Sequence, residues 1–183
     1  MSALEAALVE VASTLESFSL PYMLIGGLAV SMWGEPRATL DIDVTLWVEP
    51  EHFEQAVGRL CERLRASPQD PLAFARRTRV LPATTSQGVR VDIVFAALPA
   101  EREAIRRACP KQVSGKKIMV AAAEDLVLMK LASEREKGLE DARRLLRRHS
   151  RSLDRNYLEP RVADLADALG RPDLMDVLRE GLA

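Results

Sequence analysis

Three aspartates stand inside apolar runs of the sequence, where carboxylates are uncommon. Asp41 and Asp43 lie in the run 40–47, and Asp92 lies in the run 89–95. Because side chains alternate along a strand, Asp41 and Asp43 are expected on one face, about 6.6 Å apart along the chain. Neighbouring carboxylates disfavour each other's ionisation unless a positive charge lies between them.

A divalent cation would supply that charge. Mg²⁺ prefers carboxylate oxygens, and two such ions about 3.5 to 4 Å apart can clamp the attacking and leaving oxygens of a phosphoryl group. The pattern therefore predicts metal-dependent phosphoryl transfer, with Asp92 as third ligand if its strand lies beside that of Asp41. An Asp-x-Asp pair alone more often marks a strand end or a turn, so Asp92 and the glycines below decide in favour of the metal site.

A glycine pair precedes these aspartates. Gly26 and Gly27 fall between a predicted strand, 22–25, and a predicted short helix, 28–33. The backbone can approach a ligand closely at glycine, and the N–H groups at the start of a helix suit a triphosphate. A simple turn is the alternative.

The stretch GGLAVSMWGEPRATLDID, residues 26–43, resembles the signature of the DNA polymerase beta-type nucleotidyltransferase superfamily. Its last part and the stretch 121–146 are similar to the AbiEii-like branch, which includes toxin nucleotidyltransferases of bacterial toxin–antitoxin systems. Together these segments cover about the first 150 residues. The branch often carries an acid where this chain has Gly138, so no role is transferred to the segment 137–141.

The resemblance implies a site, its cofactors and its partners. It implies catalytic metal ligands at Asp41, Asp43 and Asp92 and two Mg²⁺ ions, with Mn²⁺ able to substitute. The substrate would be an NTP and a further partner a cognate antitoxin. The acceptor would be an RNA 3′ end, as in a tRNA, or a protein hydroxyl, and the sequence does not choose between them. The implied nucleotide-binding residues are Gly26, Gly27, Arg37, Thr39 and Lys130.

Three of these residues have alternative roles. Arg37 could contact the triphosphate or lie on the surface after Pro36, and the Thr39 hydroxyl is better suited to holding the loop. Lys130 lies in a predicted helix that is apolar on nearly every side, so its ammonium either reaches the surface beside Glu134 or points into a cleft. The branch places a lysine here that is thought to meet nucleotide phosphates, which favours the cleft.

Arginines cluster in two places. A run in the predicted helix 139–149 is expected on one solvent face, which is usually only solvated but could dock an RNA backbone. A second cluster flanks Asp92 and could serve the incoming nucleotide. The first cluster comprises Arg143, Arg144, Arg147 and Arg148, and the second comprises Arg76, Arg77, Arg79 and Arg90.

The predicted elements alternate as in an α/β domain, with flanking helices and a helical C-terminal tail. Helices are expected at 2–18 and 51–65, an antiparallel strand pair at 77–82 and 88–95, and a hairpin at 111–120. Helices follow, with breaks at Gly138, Pro160 and Gly170. We expect a small mixed-sheet nucleotidyltransferase core at 1–121 and a helical region at 122–183, packed on the core as one compact unit.

Composition limits the class of protein. At 183 residues, 48% hydrophobic and a formal net charge of −1, the chain can bury a substantial core and is not broadly basic. Two cysteines and two histidines predict neither a disulfide framework nor a zinc site. No apolar run approaches about 18 residues, so a cytoplasmic protein outside the membrane is expected. The alternative to an enzyme is a non-catalytic module that keeps the fold and serves as an antitoxin or regulatory partner.

Overall fold

The computed structural model describes residues 1–34, 39–133 and 135–183. These residues form two compact units. The first contains residues 1–29 and 39–121, and the second contains residues 30–34 and 122–183. Within the described ranges, no helix combines the length and the apolar character needed to cross a lipid bilayer.

The chain up to Ala121 alternates helices and strands, as expected for an α/β domain. In order, the elements are α1 (Ala3–Ser17), β1 (Tyr22–Ile25), α2 (Gly26–Met32), β2 (Asp41–Leu46), a 3₁₀ turn (Pro50–His52), α3 (Phe53–Arg63), β3 (Arg65–Ala66), α4 (Pro71–Thr78), β4 (Val80–Thr84), β5 (Arg90–Phe95), α5 (Pro99–Arg106), β6 (Cys109–Val113) and β7 (Lys116–Val120).

The strands of the described residues form one seven-stranded sheet in the order β3-β4-β5-β2-β1-β7-β6. The pairs β2–β5 and β1–β7 are parallel, and the other four pairs are antiparallel. The sheet is therefore mixed, which confirms the predicted fold class. Its central pair brings the strand of Asp92 beside the strand of Asp41 and Asp43, the condition on which the predicted site depended.

Period-two burial fixes which face of the central strands meets the core. Ile42, Val44, Val91 and Ile93 are completely buried, whereas the aspartates between them are partly exposed. Helix α1 contributes to the same core through fully buried apolar residues such as Leu15, and it contacts β7 and α3. Burying one face of the sheet stabilises the strands and leaves the carboxylates on the other face.

Helix α4 was not predicted from the sequence, and its last two residues fall in the expected strand 77–82. Its N-cap is Asp70, whose side chain accepts a hydrogen bond of 2.9 Å from the backbone N–H of Ala73, and Pro71 follows at the first helical position. The helix ends at Arg79, which adopts a left-handed conformation with φ of +60°. The Asp-Pro signal for a helix start was present in the sequence and was overlooked.

The second unit is helical beyond Ala122, but two of the three predicted breaks are wrong. Its helices are α6 (Ala123–Leu131), α7 (Glu136–His149), α8 (Arg155–Leu169) and α9 (Asp173–Leu182).

Gly138 lies in the first turn of α7, and Pro160 lies inside α8 without ending it. Leu158 and Val162 are completely buried on either side of that proline, so packing offsets the hydrogen bond that proline removes. Only Gly170, with φ of +63°, ends a helix as predicted.

Candidate active site

The three predicted metal ligands lie on neighbouring strands in matching register. Asp43 on β2 is paired with Asp92 on β5, and Asp41 is paired with Arg90. Residues directly opposite each other in a sheet point to the same face, so all three carboxylates share the partly exposed face. The sequence analysis predicted this convergence only on the condition that β5 lay beside β2.

Asp43 lies directly against the glycine turn. A Cβ on Gly26 would be 1.9 Å from Oδ2 of Asp43 and 2.7 Å from its Cγ, far inside van der Waals contact. Gly26 also has φ of +70°, a conformation that residues with a side chain rarely adopt. Glycine is therefore required here for two independent reasons, and one of them is the position of the Asp43 carboxylate.

Thr39 orients the other aspartate of the pair. Its hydroxyl donates a hydrogen bond of 2.6 Å to Oδ1 of Asp41, and its Oγ1 lies 3.5 Å from the Asp41 carbonyl oxygen. This contact agrees with the structural role that the sequence favoured for Thr39. It also ties Thr39 to a candidate metal ligand.

Arg90 supplies positive charge on the carboxylate face. Its Nη2 lies 3.6 Å from Oδ2 of Asp92, with side-chain exposures of 71% and 30%. The register also places Arg90 opposite Asp41. The sequence analysis proposed a metal ion as the compensating charge, whereas the protein already provides one guanidinium.

The carboxylate oxygens of Asp41, Asp43 and Asp92 are ligands that hard cations prefer, but the three side chains do not converge on one point. Among the residues that the structure describes, no group of three or more His, Cys, Asp or Glu side chains could hold a metal ion. Asp41 is hydrogen-bonded to Thr39, and Asp92 is paired with Arg90. The observations in favour are the shared face, the register and the close approach of the Asp43 carboxylate to the glycine turn.

The other arginines of the second cluster, which flanks Asp92, make contacts with residues other than the three aspartates. Arg79 donates hydrogen bonds to the carbonyl oxygens of Phe95 and Ala96, at 3.3 and 2.9 Å, beyond the end of β5. Arg76 forms an ion pair with Glu54 on α3. The Cζ of Arg77 lies 5.7 Å from the centre of the Phe74 ring. Arg90 is therefore the member of this cluster whose ion pair is with a predicted metal ligand.

Lys130 in the second unit forms a buried ion pair. Its Nζ lies 3.1 Å from Oδ2 of Asp141 on α7, with side-chain exposures of 15% and 4%. Glu134, the partner considered from the sequence, and Arg37 both lie outside the described residues. The sequence did not predict Asp141 as the partner, because it lies on the next helix of the chain, α7.

Gly138 allows the helices of that ion pair to approach closely. A Cβ on Gly138 would lie 2.8 Å from the Cβ of Ser133 and 3.1 Å from the carbonyl oxygen of Lys130. A larger residue would push α7 away from the end of α6. The Lys130 to Asp141 distance therefore depends on the position where the sequence departs from the resembled branch.

The arginines of α7 have different surroundings. Arg144 pairs with Glu140 one turn earlier, and Arg148 packs its guanidinium against Gly34, where a Cβ would be 2.7 Å from Nε. The neighbouring Leu145 and Leu146 are completely buried, so α7 is amphipathic. Of the four arginines, Arg143 is half-buried, whereas Arg144, Arg147 and Arg148 are exposed.

A family model described as "Nucleotidyl transferase AbiEii toxin, Type IV TA system" matches residues 11–169. The match covers most of the chain, including the glycine turn, the three aspartates and the ion pair of Lys130. A comparison with curated proteins found no match.

Several solved structures share the fold at low sequence identity. An ANT(2'')-Ia structure in complex with adenylyl-2''-tobramycin has a TM-score of 0.60 and 16% identity, over 92% of this chain and 99% of that one. The lincosamide antibiotic adenylyltransferase LnuA, lincomycin-bound, has a TM-score of 0.51 and 15% identity, over 76% and 94%. An antigenic nucleotidyltransferase-like protein from Paracoccidioides brasiliensis has a TM-score of 0.56 and 18% identity, over 97% and 92%.

Proposed function

Because the chain belongs to the AbiEii nucleotidyltransferase toxin family of type IV toxin–antitoxin systems, we propose that it transfers a nucleoside monophosphate from an NTP to an acceptor hydroxyl. The observation that carries the proposal is the register of β2 and β5, which sets Asp43 beside Asp92 on one face. Gly26 supports it, because the absence of a Cβ lets the Asp43 carboxylate lie directly against the glycine turn.

In this proposal Asp41, Asp43 and Asp92 hold Mg²⁺, which when bound neutralises charge on the phosphates. The family match and the carboxylate donors support this assignment. Thr39 holds the Asp41 carboxylate by its hydrogen bond, and the Gly26–Gly27 backbone lies against the triphosphate. Positioning and charge neutralisation would supply most of the catalysis.

The proposed reaction forms one bond and breaks one bond. The acceptor oxygen attacks the α-phosphorus, a new O–P bond forms, and the bond to the departing pyrophosphate breaks. The hydroxyl proton passes to the Asp92 carboxylate, whose side chain is 30% exposed and can then release the proton to water. Lys130 and Arg37 are proposed contacts of the phosphates.

We assign the acceptor to the RNA or protein hydroxyl class, and α7 is the proposed RNA contact. Exposed arginines on one amphipathic helix provide the cations that a phosphate backbone needs. Replacing Arg143, Arg144, Arg147 and Arg148 with glutamine should flatten the salt dependence of tRNA binding while NTP affinity stays unchanged. Equal salt slopes for the variant and the wild type would return α7 to an ordinary solvated surface.

Transfer of label tests the activity itself. The protein is incubated with Mg²⁺, each labelled NTP in turn, and either total tRNA or lysate protein. We expect label on one acceptor class, and Asp43→Asn should abolish it. Asp176→Asn is the matched control, since that carboxylate is exposed and paired with Arg179 on α9. Absence of transfer in every arm, with the protein folded, would refute the proposal.

A non-catalytic binding role is the second candidate. Two contacts favour it: Arg90 already pairs with Asp92, and Lys130 already pairs with Asp141. A protein of this kind would bind an NTP or a partner without releasing pyrophosphate. Calorimetric binding of NTP without pyrophosphate release, in the presence of every acceptor fraction, would select this role over catalysis.

A further inference from the structure

A cavity lies in the first unit, at the end of β2 remote from the carboxylates. Its volume is about 400 Å³, and Trp47, the residue after β2, forms part of its wall. Trp47 is four residues beyond Asp43, which at about 3.3 Å per residue is about 13 Å along the strand. We call this cavity the distal pocket. The lining residues that determine its chemistry are Phe18, Trp47, Glu49, Arg59, Arg102 and Arg106.

The floor of the distal pocket is apolar and rigid. Val48, Ala56 and Ile105 line it and are at most 8% exposed. They come from the loop after β2, from α3 and from α5, so the floor rests on three elements of the core. A ligand that filled the pocket would bury apolar surface against them.

Cations and aromatic rings form the walls. The Cζ of Arg102 lies 4.6 Å from the centre of the Trp47 ring, and the Cζ of Arg59 lies 5.0 Å from the centre of the Phe18 ring. Guanidinium planes near aromatic rings are held by the ring quadrupole and present flat surfaces on which other planar groups stack.

One carboxylate fixes part of this arrangement. Oε1 of Glu49 accepts hydrogen bonds of 3.0 Å from both Arg102 and Trp47. Glu49 is the only acid among the described residues that line the pocket, whereas three arginines line it. After Glu49 has neutralised Arg102, Arg59 and Arg106 remain. Nη1 of Arg106 lies 3.7 Å from Oε2 of Glu103 on the same helix, but both side chains are exposed, so solvent screening keeps this ion pair weak and the pocket stays positively charged.

We propose that the distal pocket binds a nucleotide, through its phosphate on Arg59 and Arg106 and its base against the apolar floor and the rings. The positive charge requires an anion, and an inorganic anion would leave the apolar floor uncovered. A volume of about 400 Å³ falls in the usual range for small-molecule sites. The distal pocket is separate from the proposed NTP site and does not depend on it.

Trp47 is a built-in reporter of this site. The chain has two tryptophans, so Trp33→Phe leaves Trp47 as the sole one. In EDTA, which suppresses metal-dependent NTP binding, titration with adenosine 5′-monophosphate should change the Trp47 fluorescence and reach saturation. Arg59→Gln and Arg106→Gln should each weaken that binding about tenfold, the expected loss for one charge-assisted contact.

Arg161→Gln is the matched control, because Arg161 is also exposed and lies over a ring, 3.7 Å from the centre of Tyr157, but does not line the pocket. Its affinity should equal that of the reporter protein. The proposal is overturned if no nucleotide gives saturation, if inorganic phosphate binds as tightly, or if an acidic peptide carrying phenylalanine binds where nucleotides do not. None of these outcomes bears on the transfer assay, which measures the carboxylate site.

Discussion

Gly26→Ala tests two reasons for glycine at this turn. One is the positive φ of the backbone, and the other is the close contact with the Asp43 carboxylate. The added methyl would start 1.9 Å from Oδ2 of Asp43, so the carboxylate must move by more than 1 Å to reach ordinary contact. Holding alanine at φ of +70° costs a further 1 to 2 kcal/mol, approximately. We expect both a loss of stability of about this size and a loss of activity.

Gly88→Ala is the control for the backbone term alone. Gly88 has φ of +75°, but a Cβ there would meet no atom within 4 Å. Both variants should therefore lose similar free energy of unfolding, measured by denaturant titration. Only Gly26→Ala should lose nucleotide transfer, by about a hundredfold or more, because a misplacement of about 1 Å at a reacting group has that effect. Equal initial rates for the two variants would show that the position of Asp43 does not matter.

Three further outcomes are expected. Thr39→Val should lower turnover about tenfold by releasing Asp41, with recovery in Thr39→Ser, and steady-state kinetics would measure it. Lys130→Met should lower the free energy of unfolding by about 3 kcal/mol, because it leaves Asp141 buried without its ammonium partner. A change below about 0.5 kcal/mol in denaturant titration would contradict the importance of this ion pair. Burial raises the pKa of Tyr22 to about 12 in the folded protein. Because the unfolded chain loses this proton at a lower pH, the free energy of unfolding should fall by at most about 2 to 3 kcal/mol as pH rises from 10 to 12. Thermal unfolding measured across this pH range should show that this fall is absent in Tyr22→Phe.

The central strands could be predicted because their sequences carry a strong period-two pattern. In β2 and β5 the apolar residues alternate with Asp41, Asp43 and Asp92, and the structure buries the apolar set. Strand order could not be predicted, since no local pattern states which strand lies beside which. The register of Asp43 with Asp92 is a long-range pairing that only the folded chain displays.

Errors arose where local signals were weighed one at a time. Gly138 was taken as a helix break because glycine destabilises helices, but tight packing against Ser133 is the reason for it. Pro160 was treated in the same way, although buried neighbours hold α8 together around it. Tertiary packing outweighed intrinsic propensity at both positions. The pairing of Lys130 with Asp141 was missed as a consequence, since it requires α7 to begin before Gly138.

The contacts already made by the aspartates do not prevent metal binding, because their energies are small. The pair of Arg90 with Asp92 is separated by 3.6 Å, and Arg90 is 71% exposed, so solvent screening limits its contribution to about 1 kcal/mol or less. The hydrogen bond from Thr39 to Asp41 is worth about 1 to 3 kcal/mol and is made to Oδ1. A divalent ion facing two or three carboxylates would gain more than either contact provides, since carboxylates on one face otherwise repel. In the proposed function, Arg90 would therefore serve as a counterion that compensates the carboxylate face until a metal ion and a nucleotide bind.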